Sequence, residues 1–245
     1  MRIADRILRS RKPLVLLHTY SVTESVLRQA ISEAKSMDLD VCVDDQGRPY
    51  VGHSHEYHDK SGDPWPENMP LWDAVELLAG SGIAAIVDCK HHRAWPVVAE
   101  VVDRIGAELC LVHAYAEELR FDHSRGEGEP DFTTEWSPIE RLSEVKASHP
   151  GVSTCASCKW LPKHLSVAAE HTDLLERIRA TLVRHRVDTV CLNIHGDALC
   201  DELLAYFLGA DVIPHVGIDN TDVTRLTLPY VGETDRLSAA SVTVT

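Results

Sequence analysis

Short apolar runs alternate with amphipathic stretches along almost the whole chain. Leu14–His18 is a compact apolar run and reads as a strand. Thr23–Ser36 carries Val26, Leu27, Ala30, Ile31 and Ala34 at helical spacing, which predicts a helix with one apolar side. Leu39–Val43 reads as a second strand, Asp45-Gln46-Gly47 as a turn, and Pro49–Gly52 as an extended arm returning from it. The pattern then repeats. Helices are predicted over Pro70–Ala79, Trp95–Ile105, Pro138–Ala147, Thr172–Arg186 and Asp197–Leu208. Strands are predicted over Ile83–Cys89, Glu108–His113, Val152–Cys155, Thr189–Ile194 and Asp211–His215. Asn220–Leu226 reads as helical and Pro229–Gly232 as a last short strand. The polar, Gly- and Pro-containing stretch Glu117–Ser137 reads as a long loop.

Strands separated by helices imply a parallel sheet. Eight such units within 245 residues match a single-domain (β/α)8 barrel spanning residues 1–245. A doubly wound open sheet is the alternative. No glycine-rich phosphate loop follows the first strand, which weakens it.

Polar residues interrupt the apolar runs at particular places. His18 closes the first strand, and Asp38 and Asp40 stand two residues apart at the second. Side chains alternate along a strand, so both carboxylates share a face. Asp88 and Lys90 repeat the spacing at the third strand, and His53 follows the returning arm. In a barrel, the C-terminal strand ends surround the active site, so these six groups are expected to converge on one mouth. Taken singly, each has an ordinary explanation: a strand-end histidine is commonly solvated, and an aspartate can cap the next helix. Taken together, three converging carboxylates repel one another unless a cation joins them. An all-oxygen ligand set favours Mg²⁺, with Ca²⁺ as the alternative, over zinc. Two histidines suit acid and base work near neutral pH.

Composition narrows the picture further. The formal net charge is −14, which disfavours nonspecific nucleic-acid binding. No apolar stretch is long enough to span a bilayer, so stable membrane insertion is not expected. Seven cysteines, with Cys42, Cys89, Cys110 and Cys191 inside apolar runs, read as core thiols of a reducing compartment. With no secretory leader read at the start, a cytoplasmic location is expected. Cys155-Ala156-Ser157-Cys158, with His149 and His164 nearby, offers a zinc alternative, but no second such pair exists, and structural thiols are the preferred reading.

The arrangement resembles the glycerophosphodiester phosphodiesterase family and its sphingomyelinase D relatives. The matching residues are His18, then Asp38-Leu39-Asp40-Val41, then Asp45-Gln46-Gly47-Arg48-Pro49-Tyr50-Val51-Gly52-His53, then Asp88-Cys89-Lys90. Tyr230–Arg236 resembles the family's final strand and its Thr-Asp turn. The resemblance implies a (β/α)8 barrel with a divalent cation held by Asp38, Asp40 and Asp88. It implies His18 and His53 as the acid–base pair, Lys90 in the catalytic set, and a small phosphodiester as substrate. His55, His91, Arg93, His113 and His215 are candidate substrate contacts. Two departures stand out. Thr19 occupies the place of the arginine that typically follows the first histidine of the hydrolases, and aspartates stand at 38 and 88 where glutamates are usual. Asp88 and the short interval from His18 to Asp38 lean towards the sphingomyelinase D branch, whose members can form a cyclic phosphate.

Overall fold

The computed structural model describes residues 1–10, 14–18, 22–52, 68–90, 92–115, 138–157, 172–191, 201–217 and 224–227. The strands are β1 (Leu14–His18), β2 (Ser36–Val43), β3 (Pro49–Val51), β4 (Ala85–Cys89), β5 (Cys110–Tyr115), β6 (Ser153–Ser157), β7 (Thr189–Cys191), β8 (Ile213–Gly217) and β9 (Thr224–Thr227). The helices are α1 (Ile3–Ser10), α2 (Glu24–Ser32), α3 (Leu71–Leu78), α4 (Trp95–Ile105), α5 (Pro138–Ser148), α6 (Thr172–Arg184) and α7 (Asp201–Leu208).

The sheet closes on itself. Neighbours run β1-β2-β4-β5-β6-β7-β8-β9, and β9 returns to β1. All pairings from β1 through β8 around this ring are parallel, as the alternation of helices and strands predicts. The closing strand departs from that expectation. It lies at Thr224–Thr227, partly where a helix is predicted, and is antiparallel to both β8 and β1. Only residues 218–223 connect it to β8, and a parallel crossover needs about a dozen residues or more. Pro229–Gly232, the predicted last strand, lies outside the described residues.

Alternation along the strands divides the interior into two layers. Met37, Leu39, Val41, Ala85, Val87, Val112 and Ala156 belong to the core that includes Leu27, Leu71, Val75, Val98, Leu142 and Ile178 of the surrounding helices. The alternate residues Ile86, Leu111, Cys155, Cys191 and Ile213 form a second cluster with Ile3, Ala4 and Ile7 of α1. Helix α1 therefore plugs the end of the barrel where the strands begin. Hydrogen bonds fix the docking: Ala4 N–H donates to Ser153 Oγ at 3.0 Å, and the Arg2 side chain donates from Nη1 to Asp188 Oδ1 at 2.9 Å. Burying Ile3 and Ile7 contributes roughly 1.5–3 kcal/mol each.

Helix α2 is shorter than its apolar periodicity suggests. Thr23 caps its start by accepting from Val26 N–H, and Ala34 turns to φ 53° just after its end. That releases Ser36 to begin β2, so Asp38 lies within the strand. At the other end of β2, Asp44 organises the turn. Its Oδ1 accepts from the N–H groups of Gln46 at 2.9 Å and Arg48 at 2.8 Å, and Oδ2 accepts from Arg48 Nε at 2.7 Å. Gly47 supplies the φ of 80° this tight return requires. The arm β3 then pairs antiparallel with β2.

Candidate metal centre

Strand register brings the charged residues together. Asp40 sits opposite Asp88, and Asp88 opposite His113, on three adjacent strands. Asp38 lies two residues deeper on β2, and the Cα of His18 is its register partner on β1. Asp38, Asp40 and Asp88 are 1%, 1% and 0% exposed, so they are core groups, not a solvated acidic rim. Each offers an oxygen, and these atoms all lie within 4.8 Å of one another. Oxygens around a six-coordinate Mg²⁺ at about 2.1 Å would be separated by about 3–4 Å, so small adjustments bring the trio onto one ion.

Two cationic groups reach into the cluster. Lys90 Nζ is 2.5 Å from Asp88 Oδ2 and 3.0 Å from Asp40 Oδ1, with its side chain 5% exposed. His113 Nδ1 is 2.9 Å from the same Asp88 Oδ2. Burial alone would raise the Asp88 pKa. Charge on His113 and Lys90, with the His113 hydrogen bond, more than offsets that and holds the carboxyl well below the usual range. Burial alone would likewise lower the His113 pKa, but Asp88 and a hydrogen bond involving Cys191 lift it to about 9. Asp88 Oδ1 is buried and has no hydrogen-bond partner among the described residues. A hard cation fits that oxygen-rich, electron-donating set, and Asp38, Asp40 and Asp88 are the residues that would hold it.

The arm β3 approaches the same place. Gly52 N–H donates to Asp40 O at 2.9 Å, immediately before His53 in the chain. At Gly52 a Cβ would fall 2.5 Å from Asn68 Oδ1, and φ is 105°, so glycine alone fits there without strain.

The remaining expected site residues divide into three groups. His53, His55 and His91 lie outside the described residues. His18 and His215 are placed by their backbones, at the C-terminal end of β1 and within β8 opposite Cys191. Arg93 is on the surface, with Nη2 3.9 Å from Asp45 Oδ1, and His113 is buried against Asp88. The strand predicted over Val152–Cys155 ends at Cys155, whereas β6 runs on to Ser157. The Ser157 hydroxyl is buried with no hydrogen-bond partner among the described residues, and its polar position two residues after Cys155 was the available signal. Cys155 lies in the inner cluster, whereas His149 pairs with Asp103 beyond the opposite end of that strand. Among the described residues, the three aspartates are the only group of potential metal ligands. No helix among those residues is long and apolar enough to cross a membrane.

No protein-family model matches the chain, and no curated protein matches its sequence. Solved structures do resemble it. A Silicibacter pomeroyi protein assigned as a glycerophosphoryl diester phosphodiesterase shares 13% identity, with a TM-score of 0.57 and 91% of each chain covered. An Agrobacterium tumefaciens protein with the same assignment shares 11%, at a TM-score of 0.53, covering 84% of this chain and 86% of the other. An Oleispira antarctica phosphodiesterase, in complex with the product sn-glycerol-3-phosphate, shares 14%, at a TM-score of 0.51 and 81% of each chain. The closed sheet and these likenesses agree: the chain has the barrel fold of the glycerophosphodiester phosphodiesterases.

Proposed function

We propose that this chain is a divalent-cation-dependent phosphoric diester hydrolase acting on a glycerophosphodiester-like small molecule or lysophospholipid. The observation that carries the reading is the trio Asp38, Asp40 and Asp88, buried with ligand atoms within 4.8 Å of one another on adjacent barrel strands. The structural neighbour that holds sn-glycerol-3-phosphate supports the substrate class.

The three aspartates would hold Mg²⁺ in the first instance, or Ca²⁺. When bound, the cation supplies Lewis-acid polarisation of a phosphoryl oxygen. Lys90, already beside Asp40 and Asp88, adds positive charge where the phosphoryl oxygens gain negative charge. Of His18 and His53, one takes the proton from the attacking hydroxyl and the other gives a proton to the leaving oxygen. His55, His91, Arg93 and His215 are assigned to substrate contact. Asp88, in place of glutamate, and the short interval from His18 to Asp38 favour a second reading in which a neighbouring hydroxyl of the substrate attacks and a cyclic phosphate is released.

The test is phosphorus NMR of purified protein with Mg²⁺ and a panel of glycerophosphocholine, lysophospholipids and an aryl phosphodiester. A monoester or cyclic-phosphate signal that EDTA abolishes is expected, and the product distinguishes the two readings. His18→Ala and His53→Ala should each abolish turnover while the fold persists by circular dichroism. Full activity in both variants would refute the assigned acid–base pair. Cation binding without any product across the panel would favour a barrel that binds a phosphorylated ligand without turnover.

A further inference from the structure

His113 stands outside the expected ligand set, yet it makes one of the two cationic contacts to Asp88. The two contacts fall on one oxygen: Oδ2 meets both Lys90 Nζ at 2.5 Å and His113 Nδ1 at 2.9 Å. A carboxylate oxygen has two lone-pair directions, so two donors saturate it. The other oxygen, Oδ1, is buried without a hydrogen-bond partner among the described residues. Pairing of β4 with β5 puts His113 opposite Asp88. The buried imidazole is therefore held against Asp88 and presents Nδ1–H to its Oδ2.

We propose that His113 is a positioning residue that fixes Asp88 as a one-oxygen ligand through Oδ1, and thereby favours Mg²⁺ over Ca²⁺ at this centre. The inference rests on the proposed cation site. Mg²⁺ demands near-octahedral geometry and accepts single carboxylate oxygens, while Ca²⁺ takes six to eight oxygens and readily engages both oxygens of a carboxylate. With Oδ2 occupied by two donors, Asp88 cannot offer the second oxygen that the larger ion would use. Removing the imidazole frees Asp88 to rotate and to bind through both oxygens. Losing such an outer contact typically weakens metal affinity about 10- to 100-fold.

The experiment is calorimetric titration of the EDTA-stripped full chain with Mg²⁺ and, separately, with Ca²⁺. The wild type is compared with His113→Ala, His113→Asn and His113→Gln. An asparagine amide nitrogen falls near the place of Nδ1, whereas that of glutamine falls near Nε2. His113→Asn is therefore expected to keep Mg²⁺ affinity within about threefold, while His113→Ala and His113→Gln weaken it about 10- to 100-fold. The preference for Mg²⁺ over Ca²⁺ should shrink in the latter pair. The Asn–Gln contrast decides the matter even if His113→Ala does not fold, because a merely space-filling role would not separate those two. Equal Mg²⁺ affinity and an unchanged Mg²⁺/Ca²⁺ ratio in all variants would overturn the positioning role while leaving the cation site intact. A wild-type chain that binds neither ion would overturn both.

Discussion

Replacing Lys90 by Met tests the electrostatic construction of the centre most directly. The lysine ammonium lies 2.5 Å from one buried carboxylate and 3.0 Å from another, with its side chain only 5% exposed. Methionine retains much of the stem's volume, so the chief loss is the charge. Removing one partner of a buried ion pair costs about 3–5 kcal/mol, because the other charge stays buried. In a chain of this size, 1 kcal/mol moves Tm by about 2–4 °C, so the variant should melt roughly 6–20 °C below wild type in EDTA. Added cation should reverse part of that loss. Binding at a hundred times Kd stabilises by about 2.7 kcal/mol. A cation bound by the aspartates would also no longer be opposed by the positive charge of Lys90. The variant should therefore show a larger Mg²⁺-dependent rise in Tm than the wild type, while its turnover stays low. Thermal melts followed by circular dichroism, with EDTA and with Mg²⁺, give both numbers. An EDTA melting point within 1 °C of wild type, or equal losses with and without cation, would refute the reasoning.

Three further outcomes follow from other parts of the barrel. Gly52→Ala meets Asn68 Oδ1 at 2.5 Å from a φ of 105°, so it should lose about 1–3 kcal/mol in urea unfolding and also lower turnover, since Gly52 bonds the backbone of Asp40. Unchanged stability would show that the arm relaxes freely. Ile7→Ala should cost about 2–5 kcal/mol by leaving a cavity in the plug, yet largely preserve kcat, because α1 closes the end where the strands begin, whereas Asp40 and Asp88 lie towards the strands' other ends. Burial pushes the Cys42 and Cys110 thiols up to about 12, so mass spectrometry should find neither alkylated by iodoacetamide at pH 8 in native protein and both alkylated after unfolding.

The parts of the centre that sequence reading identified are those that depend on local alternation. Asp38 with Asp40, and Asp88 with Lys90, are two apart in short apolar runs, so a common face follows from strand geometry alone. The partner of His113 is not a local property. It depends on how β4 registers against β5, which the closure of the whole sheet decides. Helix α1 was overlooked for a different reason. Ile3, Ala4 and Ile7 span barely two turns among charged residues, and such a helix is stable only through the barrel end it covers. The closing strand Thr-Arg-Leu-Thr has too little apolar alternation to stand out, and its direction is set by the short connection from β8.

The charges at the centre set the order in which it can fill. Three buried aspartates face two cationic partners, Lys90 and His113, the latter's pKa lifted to about 9, so acidic groups outnumber cationic ones among these five. A phosphodiester also carries one negative charge, so these groups alone would repel it. A divalent cation held by the aspartates would reverse that balance and complement a phosphodiester monoanion. Lys90 and His113 thus do two things. They let three carboxylates remain buried, and with a cation bound they would add to a positive charge that favours a phosphodiester. Lys90 cannot replace the cation, because its charge is already counted in the repulsive sum. On the proposed function, substrate capture should therefore require prior or simultaneous cation binding. Glycerophosphate titrated calorimetrically into the EDTA-stripped protein should give no heat of binding, and the same titration with Mg²⁺ present should.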